Sequence, residues 1–140
     1  MYIVCAHCAA INNVPDARLH DAPVCGKCKQ AVLPAQPISH NYMTLPAFLN
    51  AAKQPVLFDF WATWCGPCQN FAPYFAQAGA QRPGIHFVKI DVDACPEVAS
   101  ACTIRSVPTL ILFKDAEEVE RIAGGVSVPQ LLKWLDHYAA

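Results

Sequence analysis

The sequence predicts an α/β domain with a mixed central sheet flanked by helices, preceded by a small cysteine-rich module of zinc-ribbon type. Three observations carry this expectation. Two Cys-x-x-Cys pairs lie within the first 28 residues; short runs of strand formers alternate with helical patterns from residue 42 onward; and a third pair, Cys65 and Cys68, stands by itself between a strand pattern and a helix pattern. A chain of 140 residues has room for one ordinary domain and a small appendage. Hydrophobic residues make up 54% and charged residues 15%, which favours a packed core over disorder. The formal charge of −1 gives no electrostatic reason to expect nucleic acid or an anionic membrane as a partner.

The elements follow in order. Residues 1–34 form the cysteine-rich module, and 35–41, within the proline-containing stretch "LPAQPISHN", have linker composition. The main domain then spans 42–140. It opens with a helix in which Leu45, Phe48 and Leu49 share a face and Thr44 is the N-cap. "PVLFDFWA" is apolar at nearly every position, as in a strand buried on both faces. A helix runs from Pro67 to about Gln81, with Pro73 expected to kink it. "IHFVKIDV" is a strand, and "CPEVASAC" a short helix with Pro96 at its first position. "TLILFK" and "EEVERIAG" form an antiparallel pair through Asp115 and Ala116. The last helix, "SVPQLLKWLDHYAA", has capping-box spacing at Ser127 and Gln130 and an apolar face of Leu131, Leu132, Trp134 and Leu135.

Cys5, Cys8, Cys25 and Cys28 read C-x₂-C-x₁₆-C-x₂-C, the spacing of a four-thiolate metal site. Tetrahedral Zn²⁺ suits four soft ligands, and a segment this short relies on such an ion for its folding energy. One structural zinc per chain is the expectation, with iron as the rival for four sulfurs. The closed sphere leaves no position for a catalytic water. Gly26 suits the tight turn of the second pair, because only glycine enters positive φ freely.

"TWCGPC" has no partner pair at metal spacing, since Cys95 and Cys102 are seven residues apart. At the start of a helix, the N–H groups and dipole stabilise a thiolate at Cys65, which is expected to be the exposed attacking sulfur. Cys68, one turn further in, is expected to be shielded and to resolve the mixed disulfide. Asp59 lies inside the buried strand, where a carboxyl with a raised pKa serves as a proton acceptor near neutral pH. The alternative is a hydrogen-bonded structural Asp on an edge strand. Lys89, central in "FVKID", is its expected charged neighbour. Cys95 and Cys102 are either buried fillers or a regulatory thiol pair, and helix geometry keeps them apart in either case.

"FDFWATWCGPC", followed in order by "FAP", "FVKIDVD", "IRSVPTLILFK" and "AGG", resembles the thioredoxin family over about residues 40–140. With the four-cysteine extension, the chain is most similar to the family's bacterial thioredoxin 2 branch. The resemblance implies a thioredoxin fold, reversible dithiol–disulfide exchange without an organic cofactor, and electron transport from an NADPH-dependent thioredoxin reductase to disulfide-containing proteins. It makes Cys65 the nucleophile, Cys68 the resolving thiol, Asp59 the base and Pro108 a cis-proline facing the disulfide. It further implies a shallow docking surface at Trp64, Gly66, Pro67, Val107 and Gly124, whereas Phe60 and Trp61 belong to the core. Asp115-Ala116 departs from the family's frequent Asn-Gly, so another turn type is expected there. Ser106 likewise stands where glycine is frequent.

The N-terminus lacks the basic leader and sustained apolar run of an export signal, and no stretch approaches the ~20 apolar residues of a membrane span. The expected location is therefore the reducing cytoplasm, where cysteines serve metal binding and catalysis rather than stapling. Protein-disulfide reduction leads, against a zinc-module binding protein or redox-regulated chaperone with the larger domain as scaffold. A net oxidase is a third possibility, against which Gly66-Pro67 resembles the reducing members of the family.

Overall fold

The computed structural model describes residues 2–5, 8, 10–19, 21–32, 38–39 and 55–139. The expected opening helix at Thr44, Leu45, Phe48 and Leu49 lies outside them. The N-terminal module contains a short antiparallel hairpin, β1 (Tyr2–Val4) with β2 (Ile11–Asn13), and a 3₁₀ turn at Asp16–Arg18. A few residues close its core: Ile3, Cys5, Val14, Cys25 and Val32 are all buried.

A five-stranded mixed sheet forms the larger part of the molecule. Its strands are β3 (Ile38–Ser39), β4 (Val56–Trp61), β5 (His86–Asp91), β6 (Thr109–Lys114) and β7 (Glu117–Ala123), in spatial order β3-β5-β4-β6-β7. β5 runs parallel to β3 and β4, while β6 is antiparallel to both β4 and β7. Composition assigned Ile38 and Ser39 to a linker; instead they pair with Val88 and Lys89 as an edge strand. Two residues carry too little periodicity to be read as a strand, and only the exposed edge of β5 makes them one.

The three helices among the described residues are α1 (Gly66–Gln81), α2 (Pro96–Ala101) and α3 (Val128–Tyr138), at the places the sequence predicts. α1 continues through Pro73 as a single element. Strand alternation divides the apolar residues between two faces. Phe58, Phe60, Val88, Ile90, Ile111 and Phe113 pack on one side with Val98 of α2. On the other, Leu57, Leu110 and Leu112 meet Phe71 and Phe75 of α1 and Leu131 and Leu135 of α3. Ser127 and Gln130 make both reciprocal bonds of the capping box that starts α3.

Two turn expectations are corrected. Asp115 and Ala116 have φ of 54° and 64°, the signs of a type I′ hairpin turn, although neither is glycine. The right-handed twist of β6 and β7 selects that turn and overrides local preference. In the second knuckle Gly26 does not take positive φ; Lys29, just after Cys28, does, at 65°. No helix among the described residues is long and apolar enough to cross a membrane.

Candidate active site and metal centre

Sheet topology makes β4 the central strand, with β5 on one side and β6 on the other. Its C-terminal end delivers the chain through Ala62 and Trp64 into α1, so Cys65 becomes the N-cap and Cys68 the third helical residue. The pair is joined as a disulfide with Cα atoms 5.3 Å apart. The Cys68 N–H donates to Cys65 Sγ at 3.1 Å, so an otherwise unpaired amide of the helix terminus points at the sulfur that must carry negative charge once reduced. The expected contrast in exposure is not found: Cys65 is 5% and Cys68 4% accessible. In the oxidised pair both sulfurs pack under Trp61, Val92 and Val107, and their asymmetry lies in the helix-end hydrogen bond.

A second loop closes over the pair. The Val107-Pro108 peptide is cis, and the Val107 carbonyl oxygen lies 3.6 Å from Cys65 Sγ. The Pro108 carbonyl accepts the Gly124 N–H at 2.7 Å, which ties this loop to the end of β7. Gly124 has φ of +102°, a conformation that L side chains rarely adopt. Gly66, Pro67 and Trp64 are exposed around the disulfide, and Trp64 is 70% accessible. Its indole N–H donates to Asp93 Oδ2 at 2.9 Å, which holds the ring in place on the surface. Sequence reasoning missed Asp93. The only signal was a second Asp in "DVDAC", and its pairing with a residue 29 positions earlier needs the tertiary fold.

Asp59 is 1% accessible and, on the central strand, cannot be an edge residue. It shares a sheet face with Leu57, which packs on Phe71 and Phe75, and with Trp61, which packs on the cysteine pair. Oδ1 has no hydrogen-bond partner among the described residues. Burial pushes the carboxyl up to about 7, opposed by the positive charge of Lys89. Lys89 is the register partner of Asp59 on β5, and its Nζ sits over the Trp61 ring, 4.6 Å from the centroid.

The four N-terminal cysteines converge as a separate centre. Their Sγ atoms all lie within 4.8 Å of one another. Cys5 and Cys28 are 3.6 Å apart at sulfur, and Cys8 and Cys25 are 3.7 Å apart. Four sulfurs at ~2.3 Å from a tetrahedral ion are separated by about 3.8 Å along each edge, so the donor set fits a thiolate-bound metal. N–H donors from Cys28 and then Asn12 lower the Cys25 thiol to about 6, favouring the ligating form against the opposing effect of burial. None of these four cysteines is in a disulfide.

Similarity to known proteins agrees with both centres. The thioredoxin family matches residues 36–137, and the family described as "Thioredoxin 2, N-terminal" matches residues 4–30. The chain is 46% identical over 136 residues to Thioredoxin C-3 of Corynebacterium nephridii, covering 97% of this chain and 94% of that one. It is 44% identical over 84 residues to the bifunctional thioredoxin reductase/thioredoxin of Mycobacterium leprae, covering 59% of this chain and 18% of the relative. Among solved structures, a mutant thioredoxin from Halobacterium salinarum NRC-1 matches with a TM-score of 0.69 and 35% identity, over 76% of this chain and 94% of that one. The chain belongs to the thioredoxin family of protein-disulfide reductases.

Proposed function

We propose that this chain reduces disulfides of other proteins through the dithiol form of Cys65 and Cys68, by way of a mixed disulfide. The Cys65 thiolate attacks one sulfur of the substrate disulfide, and the departing substrate sulfur takes up a proton. Cys68 then loses its proton to the Asp59 carboxylate and attacks Cys65 Sγ, releasing the second substrate thiol. Two electrons have passed to the substrate, and the Cys65–Cys68 disulfide remains. An NADPH-dependent thioredoxin reductase returns the electrons; the Mycobacterium leprae relative, named for both activities, supports that pairing.

The observation that carries this reading is the redox pair at the start of α1 with a buried, raised-pKa carboxyl on the adjacent strand. Lys89 opposes full neutralisation of Asp59, so the carboxyl can both accept and return a proton near neutral pH. The surface of Trp64, Gly66, Pro67, Val107 and Gly124 receives the substrate segment flanking its disulfide, and the backbone groups beside Pro108 offer strand-like pairing. The metal of the four-cysteine module is taken to be zinc, one per chain, bound by Cys5, Cys8, Cys25 and Cys28. It supplies structure and no chemistry, because four thiolates close its coordination sphere. The domain division is 1–34, a linker at 35–41 that contributes Ile38 and Ser39 to the sheet, and 42–140. Cysteines used for metal binding and exchange favour a reducing, cytoplasmic setting, and a formal charge of −1 favours neither nucleic acid nor an anionic membrane as a partner.

Insulin reduction coupled to a thioredoxin reductase tests the reading, with Cys65→Ser as control. Wild type is expected to turn over and the variant to be inert; equal inertness with a functioning reductase refutes the enzymatic role. Cys68→Ala is expected to accumulate covalent partners at Cys65, and a clean absence of mixed disulfides would refute the order of attack.

A further inference from the structure

Asn12 lies outside both Cys-x-x-Cys pairs, on β2, yet its side chain reaches both. Its amide Nδ2 donates to the Ala10 carbonyl at 3.1 Å and to Cys25 Sγ at 3.5 Å, while its Oδ1 accepts the Gly26 N–H at 3.0 Å. These partners fix the amide orientation, since a carbonyl oxygen demands the NH₂ end and a backbone N–H demands the oxygen. The Ala10 carbonyl also accepts the Cys5 N–H at 2.8 Å, so one side chain connects the loop of the first pair to the turn of the second. Cys25 is fully buried, and water cannot solvate its sulfur. Its N–H donors include the Asn12 amide and the Lys27 backbone, the latter at 3.3 Å.

We propose that Asn12 is a positioning residue of the metal centre, donating to the Cys25 sulfur and locking the second knuckle against the first, and that it thereby sets how tightly the metal is held. The proposal rests on the reading that the four cysteines bind a metal. A thiolate bound to a cation still carries excess negative charge, and a buried one must share it with fixed donors. Groups one shell out from the ligands also aim them, and their loss typically costs about 10- to 100-fold in metal affinity.

Asn12→Asp separates donation from simple folding of the turn. The carboxylate keeps an oxygen for the Gly26 N–H but turns an oxygen toward Cys25 Sγ and the Ala10 carbonyl, replacing attraction with repulsion. In the full-length protein, competition for zinc against a chromophoric chelator should show wild type binding one equivalent, N12D weaker by about 10- to 100-fold, and N12A weaker as well. Asn13→Ala, an exposed neighbour on the same strand, should retain wild-type affinity. With cobalt(II) in place of zinc, the thiolate-to-metal charge-transfer band of N12A should move to lower energy, because a sulfur relieved of a donor gives up its electrons more easily. Retained tetrahedral d–d bands would show that the site is still assembled. Wild-type affinity in N12D, an equal loss in N13A, or an unmoved charge-transfer band in N12A each overturn the role of Asn12. Failure of the wild type itself to bind zinc overturns the metal reading beneath it.

Discussion

Asp59 places a carboxyl where water does not reach, and its two protonation states differ strongly in cost. Its pKa rises from 3.8 to about 7 on folding, so the folded chain holds this proton more tightly than the unfolded one. The linkage sign follows: with more protons bound in the native state between those values, stability falls as pH rises from about 4 to about 7 and is level above. Asp59→Asn should remove that slope. Its stability advantage over wild type should grow across the same window, with ~4 kcal/mol as an upper bound at pH 8. Urea unfolding of the oxidised proteins at pH 4, 6 and 8 measures it, and parallel stability profiles would exclude a buried titrating Asp59. The same variant should exchange disulfides more slowly at neutral pH, since Cys68 loses its proton acceptor; wild-type rates from pH 6 to 9 would exclude the base role.

At the scale of elements, the end of α2 satisfies its carbonyls in an unusual way. Ile104 N–H donates to the Ala99 carbonyl and Thr103 N–H to the Ser100 carbonyl, the two bonds of a Schellman motif, with Thr103 at φ of 55° where glycine is favoured. A β-branched residue in that region is strained. Thr103→Gly and, in the β6-β7 turn, Ala116→Gly should each stabilise by about 1 kcal/mol and act additively, as read by thermal unfolding. A loss of stability in either would show that the side chain contributes more than the backbone conformation costs. The same helix separates Cys95, its N-cap, from Cys102, its C-cap, by ~10 Å along its axis, whereas a disulfide needs Cα atoms within ~7 Å. Neither is in a disulfide, and burial holds the Cys102 thiol above its ordinary value. Forced oxidation of the pair should therefore melt α2, release the Asp93 contact to Trp64 and inhibit exchange. Activity unchanged after mass-spectrometric proof of a Cys95–Cys102 bond would leave both cysteines as packing residues only.

At the scale of the whole molecule, the N-terminal module meets the larger domain at a groove away from the redox pair. Leu19 of the N-terminal module faces Pro55, Arg82, Gly84, Ile85 and Leu135 across a groove at the start of β4 and β5. Cys65 follows the opposite end of β4, about 20 Å away for a six-residue strand. The Arg82–Asp136 pair, at 2.8 and 2.9 Å, belongs to the groove and holds the end of α1 to α3 independently of the module. Chelation should accordingly unfold residues 1–34 while insulin reduction stays within about twofold of the metal-loaded rate, because among the described residues the module's core of Ile3, Cys5, Val14, Cys25 and Val32 is a cluster apart from those on the sheet. Zinc that stays stoichiometric in a Cys5→Ser, Cys25→Ser double variant would contradict the ligand set. Reductase activity that collapses on chelation would show that the groove couples the two parts.

Much of this architecture was written in local pattern. Apolar runs and proline and serine caps located β4 to β7 and all three described helices, because burial and capping act on residues close in the chain. The spacing of Cys5, Cys8, Cys25 and Cys28 announced a metal site for the same reason: each Cys-x-x-Cys pair brings two sulfurs together within a few residues of chain. What the sequence could not specify depends on partners distant in the chain. Ile38 and Ser39 become a strand only against β5, and the positive φ of Asp115 and Ala116 comes from the twist of two paired strands. Asn12 and Asp93 look like ordinary surface polar residues until folding sets them against Cys25 and Trp64. The tertiary structure also set the raised pKa of Asp59: a carboxyl in an apolar run titrates normally on a solvated edge, and only its place on the central strand, under α1, removes the water that would have stabilised its charge.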